Sequence, residues 1–199
     1  MTNSDKSRGS GTQTSAFGSP GRENHDASAF YASRLYAGLP QEEKVALDET
    51  PLPAEKLDRI FPRSAEAMTD LPDNCVHLMV TSPPYNVGKD YEGDMSMDAY
   101  LALIADVGRE IYRVLRPGGR YVINIANLGR KPYRSLAADV TGILQDDLRL
   151  LLRGEVVWQK QRGASGSCAW GSYQSPANPV LRDTTERIII ASKGRFDRV

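Results

Sequence analysis

From about residue 57 onward, apolar residues fall into short runs and helical stripes that follow one another along the chain. Val76-His77-Leu78-Met79-Val80 is a brief apolar run stopped by Thr81-Ser82-Pro83-Pro84-Tyr85-Asn86, the pattern of a buried parallel strand. The stretch before it, SAEAMTDLPDN (64–74), reads as a short helix ending in a turn. Ser96 can cap a helix with Asp98 in its first turn. Met97, Leu101, Ile104, Gly108, Ile111 and Leu115 then recur every three or four residues, giving one apolar helical face. Pro117-Gly118-Gly119 reads as the stop of that helix, and Tyr121–Ile125 as the next strand. Leu136, Val140, Ile143, Leu144, Leu148 and Leu151 mark a second helix, which Gly154 breaks before a strand at Glu155–Trp158. After a long polar loop, Thr185–Ala191 forms the last strand. Successive strand–helix units imply an α/β fold with a mostly parallel sheet and right-handed crossovers. The final two strands lack an intervening helix, so they are expected to pair as an antiparallel hairpin at one edge of the sheet.

The first 28 residues differ in kind. They are rich in Ser, Gly and Thr with one isolated Phe, too little apolar surface to offset the entropy of ordering them. We expect a disordered tail over 1–28 and a folded part over 29–199. Within the latter, Phe30, Tyr31, Leu35, Tyr36 and Leu39 suggest a short helix or two, and LPAEKLDRIF (52–61) leads into the core. A length of 199 residues with 40% hydrophobic content supports one core. Lys+Arg and Asp+Glu both number 25, which excludes a histone-like basic protein while leaving room for a local basic patch. No stretch approaches the ~18 apolar residues of a membrane span, and the N-terminus lacks a signal-peptide core. The expectation is a soluble, cytoplasmic protein without a membrane partner. The two cysteines, Cys75 and Cys168, lie far apart with no metal-ligand spacing; neither they nor His25 and His77 suggest a metal.

The densest chemical signal is Thr81–Asn86. It follows the carboxyl end of a strand, where open α/β sheets place ligands. Consecutive prolines fix φ and remove two backbone donors, and the residue before each is pushed to an extended form. The loop therefore displays carbonyl oxygens and the Ser82 hydroxyl, followed by the flat ring of Tyr85. Oxygens that accept N–H bonds beside an aromatic face suit a planar amine. A proline-rich peptide ligand and a purely structural strand-to-turn element are the competing readings.

TSPPYN after an apolar strand resembles the catalytic motif of the DNA amino-methyltransferases. VLRPGGRYVINIAN, GEVVWQK and NPVLRDTTERIIIASKG resemble further stretches of the same family, in the order of its permuted beta class. The resemblance covers roughly 57–197. It implies a Rossmann-like fold that uses S-adenosylmethionine, and a site-specific enzyme methylating the exocyclic amine of a base flipped from double-stranded DNA. Ser82, Pro83, Pro84 and Tyr85 would be the catalytic residues: Ser82 and the Pro83 carbonyl accept from the amine while Tyr85 stacks on the base. Ser before Pro-Pro leans toward N4 of cytosine over N6 of adenine. A cognate restriction endonuclease is a possible partner of such an enzyme. The family's Phe-x-Gly-x-Gly cofactor loop has no counterpart in this sequence, and Pro62-Arg63-Ser64 stands where relatives often have Gly-Asp-Ser near the adenosine. Cofactor-binding residues are therefore unassigned, and the fold is expected to be incomplete at its C-terminus. The alternative is a non-catalytic DNA-binding fragment.

The polar loop from Gln161 to Asp183 mixes Gly and Ser with Arg162, Trp170, Tyr173 and Arg182. Long loops carrying aromatics are often functional. One reading faces it to DNA, with Arg162, Trp170 and Arg182 contacting the duplex and the arginines near phosphates. The other packs Trp170 on the sheet edge. For the N-terminal stretch, limited proteolysis should remove residues 1–28 without changing the melting temperature; slowly exchanging amides there would contradict that assignment.

Overall fold

A computed structural model describes residues 28–43, 45–46, 48–85, 95–129, 132–160, 169–170, 180–181 and 183–197. The chain divides into two units, Met1–Leu39 and Pro40–Val199. In the first, helix α1 (Ser28–Tyr31) and a 3-10 turn at Arg34–Tyr36 bring the rings of Phe30, Tyr31 and Tyr36 together edge to face, with centroids 5.0–5.3 Å apart.

The second unit is built on a four-stranded sheet. Strand β1 (Val76–Thr81) is followed by helix α2 (Met97–Val114) and strand β2 (Leu115–Ile125). A short ribbon of β3 (Leu128–Gly129) and β4 (Tyr133–Arg134) precedes helix α3 (Leu136–Gly142). Strand β5 (Leu151–Gln159), a second ribbon of β6 (Ala169–Trp170) and β7 (Val180–Leu181), and strand β8 (Thr185–Ser192) complete the series. The sheet order is β1-β2-β8-β5. β1 and β2 are parallel, and β8 is antiparallel to both β2 and β5. Three strands thus point one way. The expected terminal hairpin forms, with β8 inside the sheet and β5 on its edge.

α2 begins as its sequence predicts: the Ser96 hydroxyl accepts from Ala99 N–H at 3.2 Å, satisfying one of the orphan donors of the first turn. Its inner face buries Tyr100, Ile104, Ala105, Ile111 and Val114. Gly108 is there for contact, since a Cβ at that position would lie 2.5 Å from Leu148 Cδ1. α2 and α3 cover one face of the sheet, where Tyr121, Ile123, Ile125, Ile189 and Ala191 join the buried cluster. On the opposite face Leu78, Val80, Val156 and Trp158 are each more than half exposed.

Four expectations change. Residues 64–74 form turns, not a helix. Their backbone groups are taken by α2 side chains: Arg113 donates to the carbonyls of Met68 and Leu71, and Glu110 accepts from Met68 N–H at 2.8 Å. β1 is parallel as expected but is not buried on both faces, because it lies at an edge and the described helices cover one side only. Pro117-Gly118-Gly119 belongs to β2 as an irregularity in its pairing with β1. Gly118, at φ +76°, donates to Lys193 O, and Gly119 O accepts from Lys193 N. Finally, the second helix stops early. α3 widens into one π turn at Ile143–Asp147, and Leu151 already pairs with Ser192 as the start of β5, leaving Gly154 in the irregularity of that strand.

Arg113 ties the C-terminal half of α2 to the segment before β1. It reaches Asp73 Oδ1 at 2.6 Å and both oxygens of Glu110 at 2.9 Å. Its guanidinium holds the Glu110 carboxyl below the ordinary range, against a smaller opposing effect of burial. Arg113→Met should cost about 2 kcal/mol, a partly exposed charge-assisted network being worth less than a buried one, and lower Tm on the order of 4–8 °C. A carboxyl with a depressed folded pKa contributes stability above its unfolded pKa, and that contribution is lost as pH falls through the folded value. Melts across the acid range should therefore show a shallower stability loss in the variant than in the parent.

Candidate functional site

β1 ends at Thr81, and the next four residues carry the chain over the carboxyl end of the sheet. Ser82 and Pro84 are exposed there; Pro83 and Tyr85 are half-buried, and Tyr85 packs against the edge of the core. Two further strands bring polar groups to the same place. Asn124 comes from the carboxyl end of β2. Glu186 comes from the beginning of β8, which lies at that end because β8 runs antiparallel.

These side chains form one network. The Ser82 and Tyr85 hydroxyl oxygens are 3.2 Å apart. Tyr85 donates to Glu186 Oε2 at 3.1 Å. Asn124 Nδ2 donates to the Tyr85 oxygen at 2.9 Å and to Glu186 Oε2, and lies 3.5 Å from Ser82 Oγ. Lys160, just beyond β5, pairs with Glu186 Oε1. Glu186 is only 6% exposed, a depth at which an unpaired carboxylate would not stay charged. Burial pushes its pKa up, but bonds from Lys160, Asn124 and Tyr85 outweigh burial and hold it below the usual value. The Tyr85 phenol is pushed up, first by burial and then by the Glu186 charge, against the lowering effect of Ser82.

A second cluster braces the first. Asp183 accepts from Thr185 N–H and its hydroxyl at 2.9 and 2.8 Å, from Asn127 Nδ2 at 3.0 Å and from Tyr133 OH at 3.3 Å. Asn127 Oδ1 in turn accepts from Ala137 N–H at 3.0 Å, an amide in the first turn of α3. The entry into β8, and with it Glu186, is thereby tied to both β2 and α3.

Of the residues expected from sequence, Ser82 and Tyr85 come together with Pro83 and Pro84 between them. Arg162 and Arg182 lie outside the described residues, as does Asn86. Trp170 sits in β6, whose backbone pairs with Val180; its side chain lies outside the description. Sequence reasoning missed Asn124, Lys160 and Glu186. Two of them carried a signal: Asn124 is a polar residue inside the apolar strand YVINI, and Glu186 is a charge abutting the run RIIIA.

A cavity of about 230 Å³ lies beside β1, lined by Phe61, Arg63, Ser64, Met68, Leu71 and Met79. Whole small-molecule cofactors occupy pockets of roughly 300–1,000 Å³, so this space fits only part of one. Among the described glycines, Gly108, Gly119 and Gly129 are enclosed by the chain's own atoms, while Gly38, Gly142 and Gly154 have open space where a Cβ would stand. The open ones stand singly in the sequence and form no glycine-rich loop.

The DNA methylase family model matches residues 76–197, more than half of the chain. Two type II methyltransferases are similar in sequence. M.MjaVI of Methanocaldococcus jannaschii is 30% identical over 134 residues, covering 65% of this chain and 68% of its own. M.ScaI of Streptomyces caespitosus is 30% identical over 102 residues, 51% of this chain and 33% of its own. TTHA0409 of Thermus thermophilus, described as a DNA modification methylase, superposes with a TM-score of 0.52 at 26% identity over 68% of this chain and 52% of its own. The same protein has also been solved complexed with S-adenosyl-L-methionine. The chain thus spans a third of M.ScaI and about half of TTHA0409.

The cavity is smaller than a whole cofactor needs, and the sequence has no Phe-x-Gly-x-Gly loop. In calorimetric titration, the 199-residue chain should bind S-adenosylmethionine more weakly than micromolar; a micromolar Kd would show that the site is complete within this sequence.

Proposed function

The chain belongs to the DNA methylase family, and from that premise we propose that it carries the amine-recognising part of an S-adenosylmethionine-dependent DNA methyltransferase. Its target is the exocyclic amine of a base flipped from double-stranded DNA, N4 of cytosine ahead of N6 of adenine, since Ser82 supplies a hydroxyl where an acid would favour adenine. The observation that carries this reading is the exposed Ser82 hydroxyl linked to a half-buried Tyr85, whose own hydroxyl is anchored by Asn124 and Glu186.

The target base must leave the stack, because its amine is committed to pairing in the duplex. Ser82 Oγ and the Pro83 carbonyl accept N–H bonds from the amine and localise the nitrogen lone pair. The Tyr85 ring stacks on the base, a contact worth about 1–3 kcal/mol. Glu186 and Asp183 both have depressed pKa values, burial notwithstanding. Near neutrality they are ionised, so these two carboxyls accept hydrogen bonds and do not donate. S-adenosylmethionine, when bound, supplies an electrophilic methyl group on a positively charged sulfur. The chain's contribution to rate is then to orient the nucleophilic nitrogen. Arg162, Trp170 and Arg182 are proposed to meet the duplex, the arginines as phosphate contacts that position without reading sequence. The type II names of the relatives favour a cognate restriction endonuclease as partner, and action on DNA without a membrane-spanning helix among the described residues suits the cytoplasm.

One observation favours a second reading. The small cavity, and the lack of a glycine-rich loop among the described residues, are what a non-catalytic DNA-binding fragment would show. The two readings separate when the chain is incubated with duplex DNA and millimolar labelled S-adenosylmethionine and the DNA is digested to nucleosides. N4-methylcytosine is expected. N6-methyladenine would reverse the base assignment, and bound but unmethylated DNA would favour the fragment. In the same assay, Tyr85→Ala should slow single-turnover transfer by more than the roughly 5- to 150-fold that lost stacking alone accounts for, since the hydroxyl is lost with the ring, while leaving duplex affinity, which comes mainly from phosphate contacts, nearly unchanged. Equal rates per folded molecule would remove Tyr85 from the site.

A further inference from the structure

The hydrogen bond between Ser82 and Tyr85 could run either way if the pair stood alone, because each hydroxyl can donate or accept. Its direction matters. A Ser82 hydroxyl that gives its proton to Tyr85 keeps its lone pairs for an incoming N–H; one that accepts from Tyr85 has fewer to offer.

The remainder of the network removes that freedom. Glu186 is ionised and can only accept. The single phenolic proton of Tyr85 is therefore committed to Glu186 Oε2, at 3.1 Å. The Tyr85 oxygen is left as an acceptor, and it receives Asn124 Nδ2 at 2.9 Å on one side and faces Ser82 Oγ at 3.2 Å on the other. Asn124 follows the same polarity. Its NH2 group faces three oxygens, while its Oδ1 is buried with no partner among the described residues. The reverse amide orientation would put Oδ1 against the Glu186 carboxylate. An unpaired buried carbonyl is a cost, here incurred in keeping every donor pointed toward the carboxylate.

We propose that Glu186, held by Lys160, is a positioning residue that sets the direction of the chain Ser82–Tyr85–Glu186 and so keeps Ser82 Oγ an acceptor toward the target amine. The proposal rests on the reading of Ser82 as the amine's acceptor. No group in the network changes its covalent bonds; the effect is the orientation of two hydroxyl protons. The groups facing Glu186 are Lys160 from beyond β5, Tyr85 from the loop after β1 and the neutral Asn124 from β2. On its own strand Arg187 is engaged with Glu155, at 3.7 Å, and with the Thr185 hydroxyl, at 2.6 Å. Asp183 is occupied by Thr185, Asn127 and Tyr133. Among the described residues, Lys160 is thus the cation that keeps the carboxylate charged. With the Glu186 pKa depressed, the direction holds at neutral pH and is lost as pH falls through that pKa, where a protonated Glu186 becomes able to donate.

The test uses the 199-residue chain with Glu186→Gln, which preserves shape but can donate as well as accept. With ring-labelled tyrosine, NMR titration should show the Tyr85 pKa falling in the variant, because the charge that helps raise it is gone. This readout needs no cofactor. In single-turnover methylation at millimolar S-adenosylmethionine, Glu186→Gln and Tyr85→Phe should each be about 10- to 100-fold slower with duplex affinity unchanged. The double variant should be no slower than the slower single, since both break one chain, and Glu186→Asp should recover part of the rate. Lys160→Met should move the acid limb of the rate profile to higher pH, and it provides the result if Glu186→Gln fails to fold. A parent-like rate in Glu186→Gln, or an unmoved acid limb in Lys160→Met, overturns the proposal and leaves the function standing. A parent-like rate in Ser82→Ala overturns the reading of the site beneath it.

Discussion

A carboxylate buried to 6% exposure at the mouth of a sheet is stable only where other groups replace its water. Glu186 meets that condition with one cation and two neutral donors, each delivered by a different part of the chain. Most of what is distinctive about this end of the molecule follows. Tyr85 is anchored at its hydroxyl as well as packed at its ring, Asn124 is turned one way, and Lys160 is drawn in at the end of β5. The arrangement depends on β8 running against its neighbours. Had β8 been parallel, its first residues would lie at the opposite end of the sheet, about 23 Å away for a strand of eight residues, and the loop after β1 would have no acidic partner from that strand.

The polar framework around this site is braced from behind. Lys193, at the far end of β8, donates to Asn74 Oδ1 at 2.8 Å and to Leu115 O at 2.7 Å, joining the turn before β1 to the start of β2. Burial lowers its pKa, yet its three oxygen partners, Arg113 O among them, suit an ammonium with three donors. Arg113 and Lys193 fix the amino end of β1; Asp183 and Asn127 fix the entry to β8. The two clusters thus hold opposite ends of the sheet, one at the start of β1 and one at the end from which the loop after β1 emerges.

The sheet itself is asymmetric. One face is sealed by α2 and α3 with Tyr121, Ile123 and Leu144 fully buried, while the other leaves Leu78, Val80, Val156 and Trp158 open among the described residues. Ser82, Tyr85, Asn124, Glu186 and Lys160 are joined in one network at the end of the sheet, whereas the cavity beside β1, about 230 Å³, is smaller than a whole cofactor needs.

Sequence alone determined the features whose physics is local. The apolar period over 97–114 and the Ser96 cap specified α2, because a helix face and its first turn depend only on near neighbours. Two prolines after an apolar strand specified a stiff loop with Ser82 and Tyr85 on it, because φ restriction acts on single residues. The family was legible in TSPPYN and in the order of the later motifs. Tertiary structure decided the rest. Residues 64–74 have helix-like composition, but Arg113 and Glu110, more than 40 residues from Met68, took their backbone groups. The LRPGG segment stops a helix locally, yet Lys193 recruits it into β2. Tyr85 was legible as a ring; the partner of its hydroxyl, Glu186, lies 101 residues further on. No local pattern could pair those two, because the pairing exists only once a reversed strand has carried a buried charge to the end of the sheet where the loop emerges.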